Sequence, residues 1–424
     1  MWMSRNRFET ILKSLTFTND SPPPFKDPFW QIRNLQKAWN DNMAEVFRSG
    51  WITCLDESMS SWMNKYTCPG WMFVPRKPRP FGNEYHSICC GLSCIMFAVE
   101  LVEGKDRPKE LPSPNKKEKT AHLLLELCKS LWGSGKIVVL DSGFCVLMAL
   151  IALKKVGVFA HAVIKKRRYW PKFVPGDEIE ERLKEKEVGA VDCLKGQIDS
   201  VPYNIFTMKE PDYNMKLMAT YGTLTVEQGE KESVRHFGEK SMKFKYTKKI
   251  SYHFKYRHMV DDHNNLRHST PTLEDTWKTH VWENRVFSFF LAITEVNLYC
   301  YLRYTIWKNQ TEETYPTLHQ FRKRLAMALI ENKYIVSDES TARLLRSSNP
   351  KKHILKRCPA HAKKFEGGKW DLTCKRMYQQ HRCKQKKCKT MTRTYCACSP
   401  GIWLCTECFP KHICEVVTSD DTLC

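Results

Sequence analysis

The stretch KIVVLDSGFCVLMALIALKKVGVFAHAVIKK, Lys136 to Lys166, decides the fold class. KIVVLD is a short apolar run closed by an acid and predicts a buried strand. VLMALIALKKVG predicts a helix, and VFAHAVIKK a second strand. Strands alternating with helices predict an α/β core. Upstream, TAHLLLELCKSLW adds a helix, and the charged, proline-containing segment 103–118 reads as a loop. GWMFVPRKPRPFGNEYHSICCGLSC reads as two strands around a proline-rich turn, and WITCLDESM as a strand ending in acids. Residues 1–50 predict helices: Phe8, Ile11, Leu12 and Leu15 share one helical face, and Asp27 with Pro28 resembles a capped helix start.

Downstream, residues 167–249 hold short apolar runs broken by proline, glycine and charge, which predicts a β-rich insertion. The stretch from Thr270 to Trp307 is long, apolar and helical, and a further helix follows from Thr317. Residues 337–357 are polar and basic, as a linker would be, and no internal repeat is visible.

Composition narrows the partners. The chain has 424 residues, enough for two or three domains, with 42% hydrophobic residues to build a core. Its formal charge of +22 makes a polyanion the first partner to consider, because basic surfaces gain affinity for nucleic acid by releasing counterions. A generally basic surface without such a partner is the alternative. No apolar run reaches the roughly 20 residues of a membrane span, so no membrane is expected. Ten of the 19 cysteines lie in the last 67 residues. In a large chain that opens without an apolar signal segment, this favours a zinc-bound cluster over a disulfide framework.

Two aspartates share a context. Asp56 closes WITCLD and Asp141 closes KIVVLD, each at the end of an apolar strand, where open α/β sheets bind ligands. A third candidate, Asp261 or Asp262, lies in HMVDDHNNLRH (258–268), which reads as an acidic polar loop. Converging carboxylates need cations, and Mg²⁺ supplies hard, oxygen-seeking charge. Two such ions can stabilise both the attacking and the leaving oxygen of a phosphodiester. The competing reading is that each aspartate caps a helix or closes a turn.

The tail, HRCKQKKCKTMTRTYCACSPGIWLCTECFPKHIC, spaces its ligands in close pairs: Cys383/Cys388, Cys396/Cys398, Cys405/Cys408 and His412/Cys414. Eight ligands fit two tetrahedral zinc ions. Alternate pairs could share an ion as in a cross-brace finger, with Cys383, Cys388, Cys405 and Cys408 on one. The other would take Cys396, Cys398 and His412 with Cys414 or His381. Lys384, Lys386, Lys387 and Lys389 lie between ligands, where a finger would contact phosphates, or where a solvated charged face would stand. KKRRYW places Lys165, Lys166, Arg167 and Arg168 beside two aromatics, as a DNA contact or as a basic surface turn.

LDESMSSW, VVLDSGFCV, KKRRYWPKFVPGD, KEPDYNMKLMATYG and FKYRHMVDDHNNLRH resemble consecutive blocks of the piggyBac-type transposases, in order over roughly residues 1–335. The resemblance implies an RNase H-like catalytic core of the α/β class with an aspartate triad at Asp56, Asp141 and Asp261. It implies a homodimer that cuts double-stranded DNA at transposon ends with two Mg²⁺ (or Mn²⁺) ions. The released 3′-hydroxyl would attack the opposite strand, the target would be TTAA, and the work would be done in the nucleus.

The implied layout has helical dimerisation and DNA-binding parts at 1–50 and 272–336. The core would occupy 51–166 and 250–271, around the insertion at 167–249. A basic linker (337–380), a C-terminal Cys-rich zinc finger with two zinc ions (381–414) and a short tail (415–424) would follow. Many relatives carry another aspartate three positions after the third ligand, where this chain has Asn264. The chain also starts almost at the conserved helices, so a truncated or domesticated, silent DNA-binding copy is the second expectation. A RING-like interaction module is the third.

Overall fold

The apolar runs around Asp141 fold into the middle of one mixed sheet. This is a computed structural model that describes residues 4–112, 118–165, 175–222, 228–237, 240–310, 314–331, 355–358, 365–366, 369–370, 381–384, 388–396 and 403–408. The chain forms two compact units, Met1–Glu331 and Asn332–Cys424.

In the first unit, helices α1 (Arg5–Lys13) and α2 (Trp30–Val46) precede β1 (Ile52–Ser61), β2 (Trp71–Phe73), β3 (Phe81–Cys90) and β4 (Met96–Leu101). Then come α3 (Lys119–Leu127), β5 (Ile137–Leu140), α4 (Leu147–Lys155) and β6 (Phe159–Val163). Residues 176–247 add α5 (Gly176–Lys184), β7 (Val191–Ile198), β8 (Val201–Lys209), β9 (Asn214–Ala219), β10 (Gln228–Phe237) and β11 (Lys240–Thr247). Helices α6 (Lys248–Tyr256), α7 (Met259–His268), α8 (Leu273–Thr276), α9 (Trp282–Thr305) and α10 (Leu318–Glu331) complete the unit.

The sheet runs β2-β3-β1-β5-β6-β9-β8-β7, with β4 also on β3. Strands β1, β5 and β6 are parallel, β3 is antiparallel to β1, and β9 is antiparallel to β6. The β7–β9 meander therefore extends the central sheet, while β10 and β11 form a separate ribbon.

Both faces of the sheet are covered, which is why β1 is buried at nearly every position rather than at alternate ones. Leu55 and Ile88 join Leu124, Leu127, Leu140 and Leu150 in one core. Their neighbours Cys54 and Cys89 join Phe29, Tyr85, Phe289 and Phe290 in another. Successive strand side chains point to opposite faces, so α3 and α4 cover one face and α2 and α9 the other. Helices α2 and α9 meet through Trp39, whose indole lies 5.5 Å from the Phe290 ring and donates to Thr294 Oγ1. No described helix is long and apolar enough to cross a membrane.

The segment 258–268 departs from its reading as a loop: it is the helix α7. Its buried residues are Val260, His263, Asn264 and Arg267. That spacing of i, i+3, i+4 and i+7 is helical, but the stripe is polar and hydrophobic periodicity does not reveal it.

The second unit is a set of short antiparallel pairs. Strand β12 (Leu355–Arg357) pairs with β17 (Thr394–Cys396), β13 (Phe365–Glu366) with β14 (Lys369–Trp370), and β15 (His381–Arg382) with β16 (Met391–Thr392).

Candidate active site and cysteine centre

Sheet register brings the first two aspartates together. Leu55 pairs with Leu140 at the last parallel rung of β1 and β5, so the next residue on each strand is an aspartate. Adjacent strands lie about 4.8 Å apart, which makes Asp56 and Asp141 neighbours. There β5 ends, while β1 runs on to Ser61 against β3 alone, and the sheet opens into a cleft.

Helix α7 closes that cleft by fastening itself to the extended part of β1. Asn264 Nδ2 donates to Glu57 O at 3.3 Å and Arg267 Nη2 to Met59 O at 2.8 Å. Arg267 is wholly buried, lies 4.7 Å from the Phe289 ring centroid and forms an ion pair with the equally buried Glu274. Asp261 lies one turn before Asn264, so this anchoring delivers it to the cleft mouth. Asp56, Asp141 and Asp261 line the same cleft of about 570 Å³, together with Asp262 and Asn264.

The cleft is also rich in cations. Lys77 Nζ lies 3.3 Å from Asp261 Oδ1, 4.0 Å from Glu57 Oε2, and donates to Glu57 O at 3.1 Å. Arg76 pairs with Glu57 Oε1 at 2.9 Å, and Lys165 Nζ stands 3.6 Å from Asp141 Oδ1. Asp56 accepts the Glu57 backbone N–H at 2.8 Å. Burial, and then the neighbouring Glu57 carboxylate, push Asp56 up to about 8. Burial would raise Glu57 too, but the hydrogen bond with Asp56 and the charges of Arg76 and Lys77 hold it below its ordinary value. Hard oxygen donors from three elements, gathered on one cleft, suit a divalent cation.

Sequence reasoning missed Glu57, Arg76 and Lys77. The cations sit in PRKPRP (75–80), read only as a turn between strands; cations spaced among prolines were the available signal. Of the predicted basic contacts near the cleft, Lys165 lines it, while Lys166, Arg167 and Arg168 lie outside the described residues.

The second unit gathers four thiols. One ligand atom each of Cys383, Cys388, Cys405 and Cys408 lies within 4.8 Å of the others. Cys383 and Cys388 lie between β15 and β16, and Cys405 and Cys408 follow Trp403. A bond from Lys384 N to Trp403 O, 2.8 Å, joins the two cysteine-bearing segments. Hydrogen bonds from the side chain and backbone of Thr390 bring Cys388 down to about 6, whereas Cys405 and the other thiols push Cys408 up to about 12. Four sulfurs at this spacing could hold a zinc ion. His381 stacks on Trp403 at 4.6 Å. Cys398, His412 and Cys414 and the Cys396 side chain lie outside the described residues, as do Lys386 and Lys387; Lys384 and Lys389 are exposed.

The family model described as Transposase IS4, a DDE transposase model, matches residues 1–299. No curated protein matches the chain. Among solved structures, the chain resembles the piggyBac transposase in its synaptic complex with hairpin DNA, seen by cryo-electron microscopy. The two are 16% identical with a TM-score of 0.59, over 96% of this chain and 80% of that one. At that identity the likeness concerns the fold.

Proposed function

The chain belongs to the piggyBac-type DDE transposase family, and from that premise we propose that its cleft is a centre for metal-dependent DNA strand cleavage and transfer. The observation that carries this is the convergence of Asp56, Asp141 and Asp261, from β1, the end of β5 and α7, on one cleft. Two Mg²⁺ or Mn²⁺ ions held by these carboxylates would activate the attacking oxygen and stabilise the leaving one.

The chain's own residues supply the rest. β1 and β5 hold two carboxylates rigidly, and α7 brings the third with Asp262 beside it. Arg76, Lys77 and Lys165 at the rim suit phosphate oxygens on either side of a scissile bond. The sheet, covered by helices on both faces, with parallel β1, β5 and β6 and with β3 antiparallel to β1, supports an RNase H-like core. The division into that core, the segment 167–249, and helical dimerisation and DNA-binding parts at 1–50 and 272–336 is part of the same reading. So are a homodimeric assembly, transposon ends with TTAA targets, and a nuclear location. The four-thiol cluster supports zinc in a Cys-rich reader of DNA ends. A second ion would use Cys396, Cys398, His412 and Cys414.

Asp141→Asn tests the centre. It should abolish Mg²⁺-dependent nicking of duplex DNA, exceeding the roughly 10–100-fold that losing only an outer-shell partner of a metal costs, while DNA binding persists. Equal nicking by mutant and wild type would refute the assignment. Binding without nicking by the wild type would instead favour a silent, domesticated DNA-binding protein.

A further inference from the structure

Two of the three triad carboxylates, Asp141 and Asp261, are contacted by lysines, which compete with a divalent cation for the same groups. Lys77 is the better held of the two. Its side chain is 15% exposed, against 62% for Lys165. It is presented by a stiff turn: Val74 N donates to Pro80 O at 2.8 Å and Lys77 N to Val74 O at 3.0 Å. Pro75, Pro78 and Pro80 restrict the backbone φ of that turn.

We infer that Lys77 is a positioning residue that couples metal loading to DNA binding: it neutralises Asp261 and Glu57 until a DNA phosphate takes its ammonium, and metal and DNA then load together. This rests on the reading of the cleft as a metal-dependent strand-cleavage centre.

An ammonium 3.3 Å from Asp261 Oδ1 both uses the carboxylate and repels a second cation placed on it. The bond from Lys77 Nζ to Glu57 O, 3.1 Å, is to a neutral backbone carbonyl. That tether keeps the ammonium at the cleft whichever anion it faces. A phosphodiester entering the cleft offers a competing anionic partner. Its arrival weakens the hold of Lys77 on Asp261 and lowers the cost of placing a divalent cation there. Linkage then requires the converse: metal tightens DNA by the same factor that DNA tightens metal. Lys165 at Asp141 acts in the same direction, more weakly because of its exposure.

The test is Mn²⁺ binding to the full chain, followed by electron paramagnetic resonance of the free ion, with and without a saturating short DNA duplex. Asp141→Asn defines the signal that belongs to the cleft. In the wild type, DNA should tighten Mn²⁺ severalfold. Lys77→Met should tighten Mn²⁺ in the absence of DNA by about threefold or more and shrink the gain that DNA confers. Lys77→Arg, which keeps the charge, should behave as wild type, and a thermal melt of each variant identifies any that fail to fold. A folded Lys77→Met with unchanged Mn²⁺ affinity and unchanged coupling would overturn the inference while leaving the metal centre intact. Wild type and Asp141→Asn binding Mn²⁺ alike would instead overturn the reading of the cleft itself.

Discussion

Asn264 stands where many relatives of the family that the sequence resembles carry one more acid, and its surroundings explain what an amide does there. It is 8% exposed, donates to Glu57 O and accepts from Arg267 Nη2, both at 3.3 Å. Asn264→Asp would replace the donor with a second acceptor facing a carbonyl oxygen. The expected result is a loss of about 1–3 kcal/mol in urea unfolding, without any rise in Mg²⁺-dependent nicking. Increased nicking at unchanged stability would mean that position 264 serves the metal rather than the helix. Glu100, on β4, gives a pH signature. Burial, and then Glu103, push its carboxyl up to about 7. The folded chain thus holds a proton that the unfolded chain releases near pH 4.5, and the stability this proton brings is lost as pH rises from there towards 7. Glu100→Gln keeps an acceptor for the Gln36 amide, which donates to Glu100 Oε2 at 2.9 Å. The variant should match wild type near pH 4.5 and exceed it above pH 7 by on the order of 1–3 kcal/mol; a pH-independent difference would refute this.

At the scale of elements, α7 is the piece on which the site depends. Strands β1 and β5 are held by backbone ladders and two apolar cores, whereas α7 is held to β1 largely by polar groups. Arg267 is the centre of that attachment, bonded to Met59 O and paired with Glu274, which is 1% exposed. Arg267→Met keeps the apolar stem and leaves the Glu274 charge buried without its partner. A cost of about 3–5 kcal/mol follows, read from the urea midpoint, and Arg267→Met combined with Glu274→Gln should recover part of it. A cost below about 1 kcal/mol would place the anchoring elsewhere. The same helix shows why element type was harder to read here than at α4. A buried stripe of Val260, His263, Asn264 and Arg267 repeats with a helical period, yet carries one apolar residue.

For the whole molecule, the division into Met1–Glu331 and Asn332–Cys424 predicts independent failure. The first unit has large apolar cores, while among the described residues the second has small ones around Cys383, Leu404 and Cys405 and around Tyr395 and Trp403. On the zinc reading proposed above, metal binding supplies much of the folding free energy of the second. Cys405→Ser should lower the zinc content of the full chain by about one equivalent and expose the second unit to proteolysis. The thermal transition of the first unit should stay in place. Unchanged zinc content would exclude Cys405 as a ligand, and a shifted main transition would tie the two units together.

Strand, helix and strand around Asp141 were legible in the sequence because each depends on neighbours along the chain: branched apolar runs and helix-period faces. The close cysteine pairs were legible for the same reason, since a tetrahedral ion takes ligands two at a time from short turns. The resemblance added which of the two acids in HMVDDHNNLRH to choose. What the tertiary structure decided was nonlocal. The register of Leu55 against Leu140 sets Asp56 beside Asp141, and buried polar bonds from α7 to β1 carry Asp261 to them. Lys77 reaches Asp261 from a turn that sequence patterning reads only as a connection between strands. Its role depends on a distance of 3.3 Å between residues 184 positions apart, and no local pattern encodes such a contact.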